Sequence, residues 1–92
     1  MSIKSKIQEI LEIRFNPAQI TVTDDSHLHA DHNSAAAAGG THFSVVIVSD
    51  VFTGKSLVGR HRMVYDALAD EIKNGIHALA IKALTSKEKI GT

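Results

Sequence analysis

The chain is predicted to fold as one small α/β domain, a three-stranded mixed sheet with helices packed on one face. Three observations lead there. The first segment spaces its apolar residues as a helix does, with Ile3, Ile7, Ile10, Leu11 and Phe15 on one stripe. Two later stretches, 19–23 and 42–49, are rich in β-branched residues and read as strands, the first by strict alternation. A chain of 92 residues holds a single core, and 43% hydrophobic residues can fill it.

Each element has local support. Ser2 or Ser5 can cap the first helix, Ser5 as a capping box with Gln8. Asn16-Pro17 ends it, because the residue before proline avoids the α region. Gln19-Ile20-Thr21-Val22-Thr23 then alternates strictly. Residues 24–41 are polar and rich in Ala and Gly, and read as a long loop of the kind that is either functional or disordered. In His42-Phe43-Ser44-Val45-Val46-Ile47-Val48-Ser49 both faces are largely apolar, which predicts a central strand. After a turn around Gly54, Ser56 caps a long helix whose expected stripe is Leu57, His61, Tyr65, Leu68 and Ile72. Asn74-Gly75 closes that helix, and 76–84 is the last strand, with His77, Leu79, Ile81 and Ala83 on one face. The domain is expected to span 1–92, with its core at about 3–84 and a polar tail, 85–92, that frays. The first two strands should pair antiparallel, and the last should return parallel to a neighbour by a right-handed crossover.

Composition narrows the function. Ten basic and ten acidic residues balance, which argues against a wholesale nucleic-acid or membrane-surface binder. The absence of cysteine excludes disulfides, thiolate catalysis and cysteine ligands from this chain. No signal-peptide core and no long apolar run occur, so a soluble, intracellular protein is expected. No G-x-S-x-G, P-loop or H-E-x-x-H pattern is present, and function is expected to rest on binding rather than catalysis.

Six histidines are the one unusual feature. His27, His29 and His32 form an H-x-H-x-x-H cluster on the long loop, where imidazoles can converge on a metal or simply be solvated. His77 follows the helix cap, a place where a surface histidine is also favoured by the helix dipole. From position alone His42 and His61 read as structural. Lys55, Arg60 and Arg62 can contact phosphates or form a solvated helix face.

Four stretches taken together resemble the BolA family. They are Asp24-Asp25-Ser26 followed by His29; Thr41-His42-Phe43 running to Val48-Ser49, Phe52 and Gly54; Arg60-His61-Arg62-Met63-Val64-Tyr65 with Leu68; and Ile76-His77-Ala78-Leu79-Ala80-Ile81. They occur in the family's order and span roughly residues 7–84. The resemblance implies a KH-like (class II) α-β-β-α-β fold and a non-enzymatic adaptor role beside a monothiol glutaredoxin. It further implies a bridging 2Fe–2S cluster shared with the glutaredoxin cysteine and glutathione, and no cofactor for the chain alone. The family supplies a histidine from the start of the last strand and a His or Cys from the loop. Those positions match His77 and His29, with His27 and His32 left open because residues 33–38 look like additional loop. Lacking cysteine, the chain is similar to the histidine-bearing subgroup.

The role so implied is iron–sulfur cluster trafficking or iron-linked regulation, in the cytoplasm or, after processing, in mitochondria. Neither a membrane nor a small-molecule substrate is expected as a partner. Some family members are transcriptional regulators acting in stress response and morphology, so weak DNA binding through Lys55, Arg60 and Arg62 is the alternative. No G-x-x-G clamp lies near Gly54 to support it.

Overall fold

The computed structural model describes residues 2–25 and 42–90. Helix α1 covers Ile3–Phe15 and opens on Ser2, whose hydroxyl accepts the Ser5 amide at 3.1 Å. Its buried side chains are Ile7, Leu11 and Phe15, one per turn along a single face. Asn16 ends it in the left-handed region at φ 41°, donating its amide to the Glu12 carbonyl. The chain then enters β1, Gln19–Asp24, and further along β2, His42–Val48.

β2 is the central strand of the order β1-β2-β3. It pairs antiparallel with β1, Thr21 opposite Val46, and parallel with β3, Ala78–Leu84, with Val45 beside Ile81. Alternation along the strands divides the sheet into two faces. Val22, Phe43, Val45, Ile47, Leu79, Ile81 and Ala83 meet the helices, and Thr21, Thr23, Ser44, Val46, Ala80 and Lys82 take the opposite face. The predicted fold class and the central position of β2 therefore hold.

Between β2 and β3 lie a 3-10 turn at Asp50–Phe52 and helices α2, Leu57–Ala67, and α3, Ala69–Asn74. Ser56 caps α2 by accepting the Gly59 amide at 3.0 Å. The single long helix expected from the sequence breaks at Leu68, whose amide is shared between the Val64 and Tyr65 carbonyls at 3.1 and 3.2 Å. Such a bifurcated bond tightens the turn and lets the axis restart. The expected stripe is also out of phase. Leu57 is 66% exposed and Tyr65 41%, whereas Arg60, Val64 and Leu68 are buried. Tyr65 instead donates its hydroxyl to the Leu79 carbonyl at 3.0 Å, tying α2 to β3. Gly75 then turns the chain at φ 155° and ψ −8°, a conformation closed to residues with a Cβ.

A buried serine locks the helix–sheet corner. Ser49 donates its hydroxyl to the Phe15 carbonyl at 2.7 Å, while the Phe15 and Phe52 rings sit 5.3 Å apart. At the other end of the chain the expected frayed tail gives way to a short helix, α4, Ser86–Ile90. Thr85 and Glu88 form a reciprocal capping box. The Glu88 amide donates to the Thr85 hydroxyl at 3.2 Å, and the Thr85 amide donates to the Glu88 carboxylate at 2.8 Å.

Candidate functional site

Parallel neighbours begin at the same end of a sheet, so the first residues of β2 and β3 must lie side by side. His42 opens β2 and sits opposite Ala78, the first residue of β3. His77 immediately precedes Ala78. The two imidazoles accordingly meet edge to face, with centroids 6.0 Å apart and planes at 74°. His77 is exposed and His42 half-buried.

The surroundings fix the pair from below. His42 belongs to a strand hydrogen-bonded on both sides, and its carbonyl accepts the Asp25 amide at 2.7 Å. The Asp25 carboxylate in turn accepts the Ser44 hydroxyl. On the other side Ile76 is buried, with its amide bonded to the Glu71 carbonyl at 3.2 Å. His77 is thus carried on a junction anchored one residue away. Asp25, His42, Phe43, Ser44, Ala78, Leu79 and Ala80 line a surface groove of about 230 Å³.

The sequence placed His77 among the candidate ligands but read His42 as structural. The structure sets the two rings side by side, because a parallel β2–β3 pair brings together whatever stands at the head of each strand. His27, His29 and His32 lie outside the described residues. Among the described residues no group of three or more His, Asp or Glu side chains converges on one point. His61 is half-buried on α2, away from both strand heads in sequence.

The basic candidates divide. Lys55 and Arg62 are exposed. Arg60 is not on a solvated face: its side chain is 7% exposed and paired with Glu88. Its Nε donates to the Lys55 carbonyl at 3.0 Å, one terminal nitrogen to the Ala83 carbonyl at 3.0 Å, and both terminal nitrogens to Glu88 at 2.6 and 3.0 Å. With its donors turned inward, Arg60 leaves the set of phosphate-contact candidates. Its hydrogen bonds, followed by that from the Thr85 amide, hold the Glu88 carboxyl well below the ordinary 4.5, at about 2.

The architecture is a KH-like α/β domain with two histidines paired at the open end of its sheet. The family model for "BolA-like protein" matches residues 11–88, and the chain belongs to this family. Its relatives include the DNA-binding transcriptional regulator BolA of Escherichia coli, 42% identical over 96% of this chain and 80% of that protein. SufE-like protein 1, chloroplastic/mitochondrial, of Arabidopsis thaliana is 51% identical over 90% of this chain, which spans only 24% of that longer protein. Among solved structures, the BolA domain of SufE1 from Arabidopsis thaliana superimposes with a TM-score of 0.87 at 49% identity, covering 96% of both chains. BolA1 from the same plant gives 0.84 at 39% identity, again over 96% of each chain. Among the described residues no helix is long and apolar enough to cross a membrane.

Proposed function

We propose that the chain is a non-enzymatic adaptor that docks a monothiol glutaredoxin and shares a bridging 2Fe–2S cluster, in cluster trafficking or iron-linked regulation. The observation that carries this is the exposed His77, held on an anchored junction with a second imidazole beside it. The donor set fits. Imidazole is a good ligand for iron, and histidine on one iron with thiolates on the other is a known ligand type that raises the cluster's potential. With no cysteine of its own, the chain depends on a partner for every thiolate. His77 would hold the cluster from the sheet, and His29 is the residue proposed to join it, with His27 and His32 as alternatives.

In this scheme the rigid partner of the division is His77, whose approach direction is set by β3 and the Gly75 turn. Co-expression with a monothiol glutaredoxin, followed by visible spectroscopy of the purified heterocomplex, tests the reading. A mixed-ligand cluster spectrum distinct from that of the glutaredoxin alone supports it, and a colourless mixture or the partner's own spectrum counts against it.

A second reading rests on the name borne by several relatives, DNA-binding transcriptional regulator BolA. It retains Lys55 and Arg62 as exposed basic residues, but the burial of Arg60 removes the third. Salt dependence separates the two readings, because phosphate contacts release counterions and lose affinity steeply as salt rises.

A further inference from the structure

We infer that Arg60 and the Thr85 amide form a carboxylate-binding cradle, which Glu88 fills from within the chain and which an acidic side chain of another protein can take over when α4 swings aside. Three donors converge there. The two terminal nitrogens of Arg60 donate to the two Glu88 oxygens at 2.6 and 3.0 Å, and the Thr85 amide donates to the first of these oxygens at 2.8 Å. Two bonds from one planar guanidinium to the two oxygens of one planar group are the geometry that selects a carboxylate. The same donors hold the Glu88 carboxyl at about 2, so the ionised form is the one they favour.

The cradle does not depend on its occupant for its shape. Arg60 also donates to the Lys55 and Ala83 carbonyls, both at 3.0 Å, and these bonds keep the guanidinium in place when Glu88 leaves. Thr85 directly follows β3, whose last residue, Leu84, accepts the Ser49 amide at 2.8 Å. The occupant is held far less firmly. Glu88 is 43% exposed against 7% for the Arg60 side chain, and it rides on a helix of five residues, too short to persist without its tertiary contacts. A buried, preformed set of donors filled by an exposed side chain on a short helix is a site plugged by its own chain. It lies at the Leu84 end of β3, whereas His77 precedes the Ala78 end, so a partner seated here leaves the histidines accessible. An internal plug competes at an effective concentration in the millimolar range, and a partner displaces it by adding contacts beyond the carboxylate.

Removing the plug opens the cradle to a small probe, and acetate serves, at an ionic strength matched with chloride. Glu88→Ala should melt below wild type in chloride. Millimolar acetate should raise its Tm by about 3–6 °C while moving wild type by less than about 1 °C. In the same titration the Arg60 Nε–H and Thr85 amide resonances of Glu88→Ala should shift and saturate. Adding Arg60→Lys to Glu88→Ala should abolish the response; if that double variant does not fold, the resonances of the single variant decide. Should Glu88→Ala itself be unfolded in chloride, circular dichroism reads its refolding by acetate instead, and failure to refold counts against the cradle. An equal rise in wild type, a response that survives Arg60→Lys, or the absence of saturable shifts would each overturn the proposal. Inorganic phosphate acting more strongly than acetate would overturn the carboxylate assignment. As no glutaredoxin is present, these outcomes are independent of the adaptor reading.

Discussion

Replacing Arg60 with alanine should cost this domain a large part of its stability while leaving its surface chemistry intact. Four of the five guanidinium hydrogens could be engaged at once, and the structure shows bonds to Lys55, Ala83 and both oxygens of Glu88. Truncation strands the Ala83 carbonyl in a buried setting, frees Glu88 from its partner and opens a gap beneath α2. Removing one member of a fully buried pair costs about 3–5 kcal/mol. Glu88 remains 43% exposed and can rehydrate, so a loss of about 2–3 kcal/mol is expected. For a domain of this size that corresponds to a fall in Tm of roughly 10–20 °C. Lysine should rescue little of it, because one ammonium cannot reproduce the planar two-nitrogen grip on a carboxylate. Chemical denaturation and calorimetry of Arg60→Ala and Arg60→Lys measure the loss. A change under about 0.5 kcal/mol, the range of ordinary surface substitutions, would refute the structural role. A melting temperature like that of wild type combined with weakened DNA binding would return Arg60 to the phosphate-contact set.

Other expectations follow from the same geometry. Because the Glu88 carboxyl titrates at about 2 when folded against an ordinary 4.5, the unfolded chain binds more protons between those values, and stability falls as pH drops through that window. Glu88→Gln should flatten this acid limb while lowering stability at neutral pH, as pH-dependent thermal melts will show; an unaltered limb would contradict the assignment. In the glutaredoxin heterocomplex His29→Ala should impair the cluster more than His27→Ala or His32→Ala, and equal loss from all three would mean that none of the three is a dedicated ligand. Specific DNA binding should be weak at physiological salt, measured by fluorescence anisotropy; a tight, sequence-dependent complex abolished by changing Lys55 and Arg62 would favour the regulator reading.

Much of the fold is legible in the residues. Ser2, Asn16-Pro17, Ser56 and Asn74-Gly75 mark helix boundaries through capping and backbone chemistry that act over a few residues. The apolar character of both faces of 42–49 announces a central strand. The stripe expected after Ser56 is misread because its core-facing row begins with Arg60, a charged residue whose burial is made tolerable by Glu88 and the Ala83 carbonyl, both distant in sequence, together with the Lys55 carbonyl. Thr85-Ser86-Lys87-Glu88 carries a capping-box pattern, yet without the Arg60 pairing so short a polar segment has little reason to fold. The contact between His42 and His77 is missed for a related reason. It comes from β3, thirty-odd residues further along in sequence, and appears only when the parallel register is drawn. Position along the chain carries local rules well, and pairings across the chain poorly.

The central claim is that His77 serves a metal centre shared with a partner and does not serve the fold. A single variant, His77→Ala, examined in two ways, tests it most directly. Its melting temperature should stay close to that of wild type, because an exposed imidazole contributes little packing. Its heterocomplex with a monothiol glutaredoxin should lose the mixed-ligand visible spectrum, leaving at most the partner's own cluster. A His77→Ala protein that still forms the wild-type heterocomplex cluster would contradict the account, most clearly if its melting temperature had fallen.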